Sequence, residues 1–193
     1  VRGFRLFRAD FCRFPFAAWQ IGQLRLTYYP MPKRRKKKIV RVIHPSAGPL
    51  PLRFAEQYAD HLLVFSDASQ KRHGGLAAVL FATPGSEALV STQTVPIIGS
   101  NELELQAALF ALGEAQRQFP GRRLALFSDN QDAVIRLRRF QEAESAQDPA
   151  LLQMLEGQGV TCVLKNAAIT WIKGHSTCRG NTLADQHAAQ AAS

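Results

Sequence analysis

Cysteine is scarce in this chain, acidic residues are nearly missing from its first quarter, and no apolar run approaches the length of a membrane span. The three cysteines, Cys12, Cys162 and Cys178, have neither paired spacing nor partner histidines. That argues against a disulfide framework and a zinc site, and it fits a reducing compartment. A bilayer-crossing helix needs roughly 20 apolar residues in succession, so no membrane partner is expected. Val1 is followed by no apolar core with a cleavage site, so nothing reads as a secretory signal. The chain is expected to be cut from something longer.

The scarcity of acid is local. Residues 1–53 hold 13 Lys and Arg against the single acid Asp10, a net of +12, whereas residues 54–193 hold 11 against 14 acids, a net of −3. The basicity of the chain, formally +9, therefore belongs to its N-terminal stretch. Within it, Phe4, Phe7, Phe11, Phe14, Phe16, Trp19, Tyr28 and Tyr29 interleave with Arg2, Arg5, Arg8, Arg13 and Arg25. Such a stretch can stack on bases while arginines hold phosphates. It suits still better a fragment whose larger partner surface is missing. The run Lys33, Arg34, Arg35, Lys36, Lys37, Lys38 must stay solvated or meet an anion, as a linker, a phosphate-binding patch or a nuclear address. Pro45, Gly48, Pro49 and Pro51 then mark a boundary, and a compact domain is expected over 54–193.

In that domain the hydrophobic content, 46% over the whole chain, is enough for one sizeable core. The patterning predicts strands at 61–66, 75–82 and 88–96 joined by short turns, hence an antiparallel meander. A helix over 101–118, a strand over 122–128, helices over 130–140 and 148–157, a strand over 167–173 and a helix over 181–192 follow. The helical crossover between the first and fourth strands makes those two parallel neighbours.

Two strand ends are nearly identical: Val64-Phe65-Ser66-Asp67-Ala68-Ser69 and Leu126-Phe127-Ser128-Asp129-Asn130. Aspartate is a poor strand former, so each is read as the stop of a core strand, and parallel pairing sets Asp67 beside Asp129. Either alone suits a turn or cap; Asn130 is as good a cap as Asp129 for the next helix. Glu104 has a cap reading as well, since Asn101-Glu102-Leu103-Glu104 fits a capping box. It also shares a helical face with Ala107, Ala108 and Ala111, small residues that permit close approach to a sheet, while Glu102 points elsewhere. Asp185 lies near the start of the last helix, where the helix dipole favours an acid. His175 sits ahead of it, in a polar loop. Four carboxylates in one crevice repel one another and raise one another's pKa, a cost that divalent cations remove.

Taken in order, Asp67, Asn101-x-x-Glu104-Leu105-x-Ala107, Ser128-Asp129, Trp171-Ile172-Lys173-Gly174-His175 and Gly180-Asn181-x-Leu183-Ala184-Asp185 resemble the type 1 ribonuclease H family over roughly residues 60–192. The closing Gly-Asn-x-x-Ala-Asp-Gln is most similar to the RNase H domain of a retroviral or LTR-retrotransposon reverse transcriptase. The resemblance implies an α/β fold, a mixed five-stranded sheet flanked by helices, with strands 1–3 antiparallel and strands 4 and 5 parallel to strand 1. It implies an enzyme that cuts the RNA strand of RNA/DNA hybrids with two Mg²⁺ ions, for which Mn²⁺ can substitute. Asp67 would bridge the ions. Asp185 would complete the site of the ion that activates water, Glu104 and Asp129 the site of the ion at the leaving oxygen, and His175 would shuttle protons or aid product release. Ser69, Asn101, Asn130 and Gln131 would touch the hybrid.

Two departures stand out. Asn130 occupies a position where relatives usually carry Ser or Thr, and Gln141 to Asp148 is short and acidic where some relatives carry a basic protruding helix. With that handle absent, the attraction for a polyanion would come from Lys33 to Lys38 and the rest of residues 1–53, or from a fused or associated polymerase. A monomeric isolated domain is expected, in the cytoplasm or a virus-like particle, or in the nucleus if the basic run is an address. The competing readings are a free-standing cellular ribonuclease H and a non-catalytic module of the same fold.

Overall fold

The computed structural model describes residues 48–143, 148–174 and 178–193. Lys33 to Lys38, the aromatic stretch before them and His175 lie outside the described residues. The element order is α1 (Leu52–Ala55), β1 (Leu62–Gln70), β2 (Gly74–Phe81), β3 (Leu89–Val95), α2 (Ser100–Gln118), β4 (Leu124–Ser128), α3 (Gln131–Ala143), α4 (Pro149–Gln158), α5 (Thr161–Asn166), β5 (Ala168–Trp171) and α6 (Arg179–Ala191).

The five strands form one sheet in the order β3-β2-β1-β4-β5. β1 pairs antiparallel with β2, and β2 with β3, as the short turns require. β1 and β4 pair in parallel, Leu62 opposite Leu124 through Phe65 opposite Phe127, and β5 is parallel to β4. The meander and the parallel first and fourth strands expected from the patterning, and the five-stranded mixed sheet that the resemblance implies, are observed.

Strand residues alternate between two cores because side chains alternate across a strand. Leu62, Val64 and Leu126 meet Leu105, Leu109, Leu112, Val134 and Leu137 of α2 and α3, with Leu151, Leu155 and Leu164 closing that side. Leu63, Phe65, Ala125 and Phe127 face the other way, toward Tyr58, Ile172 and Ala184. The Phe65 and Phe127 rings stack there at 5.1 Å between centroids.

Several element boundaries differ from those expected. β1 does not stop at Asp67 but continues to Gln70, because β2 supplies an antiparallel partner along its whole length and Asp67 pairs with Ala77. The turn into β2 is correspondingly Lys71 to His73, with Gly74 and Gly75 inside the strand. Helix α2 begins at Ser100 behind Gly99, and no side chain caps it, so the capping box at Asn101 is not formed. α6 begins two residues before Asn181, which moves Asp185 out of the first turn. α5 has no counterpart in the expected elements: six residues are too few to show a helical period. Packing also reaches upstream of residue 54, where Leu50 is buried against the Tyr58 and Phe127 side of the sheet.

Helix α6 lies over β1 and β2 and is fastened at both ends. At its start, Gly180 N–H donates to the Pro49 carbonyl at 3.1 Å. At its end, the β1–β2 turn reaches over: Lys71 Nζ donates to the Ala189 carbonyl at 2.7 Å. The Arg72 and His73 amides donate to the Ala192 carbonyl at 3.1 and 3.2 Å, satisfying a carbonyl that a helix end leaves open. Between these ends Gly75 permits the approach, since a Cβ there would stand 2.2 Å from the Ala188 carbonyl oxygen.

Candidate metal centre

Asp67 and Asp129 are placed by the strand period. Asp67 stands two residues beyond Phe65 on β1, and Asp129 two beyond Phe127, one residue past the end of β4. Since Phe65 and Phe127 are register partners, both aspartates emerge on the same side of the sheet, where the β1–β4 pairing has ended. Glu104 comes from the opposite layer, in the first turns of α2, between buried Leu103 and Leu105.

Carboxylate oxygens of Asp67, Glu104 and Asp129 lie within 4.8 Å of one another. Asp67 is only 6% exposed, and its Oδ1 accepts from the Ala68 amide at 2.8 Å. Glu104 Oε2 is buried with no hydrogen-bond partner among the described residues. Burial, followed by the charge of Asp129, pushes the Asp67 carboxyl up to about 7 against the pull of the Ala68 amide. Burial again, then Asp67 and Asp129, push Glu104 up to about 8.

An unsatisfied carboxylate oxygen between two other carboxylates is a costly arrangement, and an oxygen-seeking divalent cation is the group that would relieve it. The donor set fits such an ion. Asp185 does not join the three: it is exposed on the second turn of α6. Its charge still adds the smallest contribution to the raised pKa of Asp67 and Glu104.

Asp129 is also held from the β5–α6 side. Trp171 Nε1 donates to its main-chain carbonyl at 2.9 Å. Asn181 Nδ2 lies 3.4 Å from its Oδ2. A Cβ on Gly174 would stand 2.9 Å from the same oxygen. Sequence reasoning misses all three as neighbours of Asp129. The signal available is their place in the Trp-Ile-Lys-Gly and Gly-Asn motifs, which says nothing of which group they touch.

The expected nucleic-acid contacts divide. Asn130 is the cap of α3, its Oδ1 accepting from Ala133 N–H at 2.8 Å, while its own N–H donates to Ser128 Oγ at 3.2 Å. Asn130 is half-buried. Asn101 is exposed and donates to Asp132 at 3.3 Å. Gln131 is exposed at the start of α3, and Ser69 is half-buried opposite Gly75.

A mixed sheet with three carboxylates gathered where the pairing of two parallel central strands ends defines an α/β domain carrying an all-oxygen donor set that could hold a metal ion. The family model for RNase H matches residues 59–193, so the chain belongs to the RNase H family, and ribonuclease H is its enzyme class. No curated protein matches the chain. Among solved structures, the N-terminal RNase H domain of rv2228c from Mycobacterium tuberculosis, studied as a maltose-binding-protein fusion, is 19% identical, with a TM-score of 0.53 over 68% of this chain and 93% of that one. LC11-RNase H1, solved in complex with an RNA/DNA hybrid, is 15% identical, with a TM-score of 0.50 over 68% of this chain and 99% of that one. At these identities the likeness is one of fold.

Proposed function

We propose that the domain hydrolyses the RNA strand of RNA/DNA hybrids, using two divalent cations, Mg²⁺ with Mn²⁺ as a substitute, held by Asp67, Glu104, Asp129 and Asp185. The observation that carries this is the cluster of Asp67, Glu104 and Asp129, with Asp67 buried and Glu104 Oε2 buried and without a hydrogen-bond partner among the described residues. The hybrid bound in the LC11-RNase H1 structure supports the substrate.

Divalent ions bound there would supply Lewis acidity to both the attacking and the departing oxygen of an in-line displacement. The chain's own part is to fix the ligands. Asp67 is locked by the Ala68 amide, Glu104 is carried on a helix whose buried face leaves it little freedom, and Asp129 is held between β5 and α6. Asp185, exposed on α6, would complete the set of ligands. His175 would move protons or help product leave. Asn130, Gln131 and Asn101, with Ser69, would meet the minor groove, where a 2′-hydroxyl distinguishes RNA from DNA.

The reverse-transcriptase origin is the finer part of the reading and rests on Gly180-Asn181-x-Leu183-Ala184-Asp185-Gln186. On it, residues 1–53 are a basic segment left from an upstream polymerase region, residues 54–193 are the nuclease, and the setting is intracellular. Cleavage of a labelled hybrid by the full chain and by Asp67→Asn, with single-stranded RNA and duplex DNA as controls, tests the activity. Hybrid-only cutting that disappears in the variant is expected; equal cutting by both overturns the assignment of the site. Fusing a polymerase upstream should lower the KM for hybrid if the reverse-transcriptase reading holds.

A further inference from the structure

Asn181 has a place in the fold that its neighbours do not explain. It is 2% exposed on the first turn of α6, among the few polar residues buried in the described part of the domain. A buried amide ordinarily satisfies both its ends. Here one end, Nδ2, is turned toward Asp129 Oδ2 at 3.4 Å, and the other, Oδ1, has no hydrogen-bond partner among the described residues. An apolar residue of the same size would fill this space without leaving an acceptor unsatisfied.

We infer that Asn181 is a positioning residue for the metal centre, its amide N–H holding the Asp129 carboxylate in the orientation that binds a cation. The inference rests on the metal-centre reading above. Three observations converge on it. The amide presents its donor to the carboxylate, the arrangement a charged acceptor selects. Gly174 leaves no side chain on the flank of the same Oδ2, so the oxygen is confined between glycine backbone and the amide. Trp171 fixes the main chain of Asp129, which leaves side-chain rotation as the remaining freedom, and Asn181 is the described group positioned to remove it. Partners that orient a ligating carboxylate are worth about 10- to 100-fold in metal affinity. The carboxylate is carried by the loop after β4 and the amide by α6, so the seating of α6 on β1 and β2 is transmitted to the ligand by this contact.

The test is Mn²⁺ binding to the full chain, followed by calorimetry and by the electron paramagnetic resonance signal of free Mn²⁺, for the wild type and Asn181→Leu, with melting temperatures in EDTA. The leucine variant should melt at or above the wild-type temperature and bind Mn²⁺ about 10- to 100-fold more weakly. Wild-type affinity in a folded leucine variant overturns the inference and leaves the metal centre standing. Loss of affinity accompanied by a matching loss of melting temperature also overturns it, since it makes Asn181 a packing residue. Absence of Mn²⁺ binding by the wild type overturns the metal centre and the inference together. Asn181→Ala, smaller and without either polar end, is read in the same way if the leucine variant does not fold.

Discussion

Replacing Asp67 with Asn should stabilise the metal-free protein while removing its activity, and the gain should depend on pH. The Asp67 carboxyl is raised from 3.8 to about 7, mainly by burial and by Asp129. At about 1.4 kcal/mol per pH unit, that places the cost of its ionised form in the fold near 4 kcal/mol. Part of the shift is repulsion from Asp129 and, more weakly, Asp185, and Asp67 in turn raises Glu104, so the cost of the cluster is less than the sum of its members. The sign follows from proton binding. Below about pH 4 the carboxyl is protonated in both folded and unfolded chains, and the two proteins should differ little. Between 3.8 and about 7 the unfolded chain has released its proton while the folded one retains it, so wild-type stability falls as pH rises through that window. Above it the penalty is complete. The amide introduced by Asp67→Asn keeps an oxygen to accept from Ala68 and carries no charge. Thermal unfolding in EDTA should therefore show the variant melting roughly 5–15 °C above the wild type at pH 8.5, for a difference of about 2–4 kcal/mol, with the gap closing toward pH 4. Mg²⁺ should narrow the gap from the other side, by stabilising the wild type more. A gap that is constant with pH, or a variant less stable than the wild type at pH 8.5, would refute the claim that repulsion within this cluster is what the fold tolerates for its site.

Trp171→Phe removes the donor to the Asp129 carbonyl and should lower hybrid cleavage by about tenfold, for about 1 kcal/mol or less of stability; kinetics beside urea unfolding separate the two. Gly75→Ala drives a Cβ into the backbone of α6 and should cost about 1–3 kcal/mol, lowering the melting temperature and the Mn²⁺ affinity together. Glu114, held down to about 2 chiefly by its hydrogen bonds from Arg117, receives Ser91 and Gln118 as well. Its stabilising effect is fully present above its ordinary value of 4.5 and is lost as pH falls toward about 2. Glu114→Gln should cost about 1 kcal/mol at pH 7 and much less at pH 2.5, checked by denaturation at both.

What the sequence discloses about this site and what it hides divide along a physical line. Asp67 and Asp129 can be found because a strand's two-residue period is local and the apolar run before each is short and complete. Glu104 can be found because a helix repeats its face every three or four residues, so Ala107, Ala108 and Ala111 identify the inward side without knowledge of the sheet. The extent of β1 cannot. Ser66, Asp67 and Ser69 are weak strand formers, and only pairing with β2, a tertiary effect, keeps them extended. The cap of α2 misleads for a related reason: the asparagine that suits a capping box lies one turn position inside a helix begun by Gly99 and Ser100. Asn181, Trp171 and Gly174 are the least legible, because each touches Asp129 across 42 to 52 residues of chain and no periodicity extends so far. The Asn181 contact depends further on α6 being seated by the Lys71–His73 turn and by the missing side chain at Gly75. The two halves of the centre therefore differ in what can damage them. The half on β1, α2 and β4 should fail only when a carboxylate or its immediate neighbour is changed. The half brought by α6 should fail also from changes in the β1–β2 turn, well away from any carboxylate.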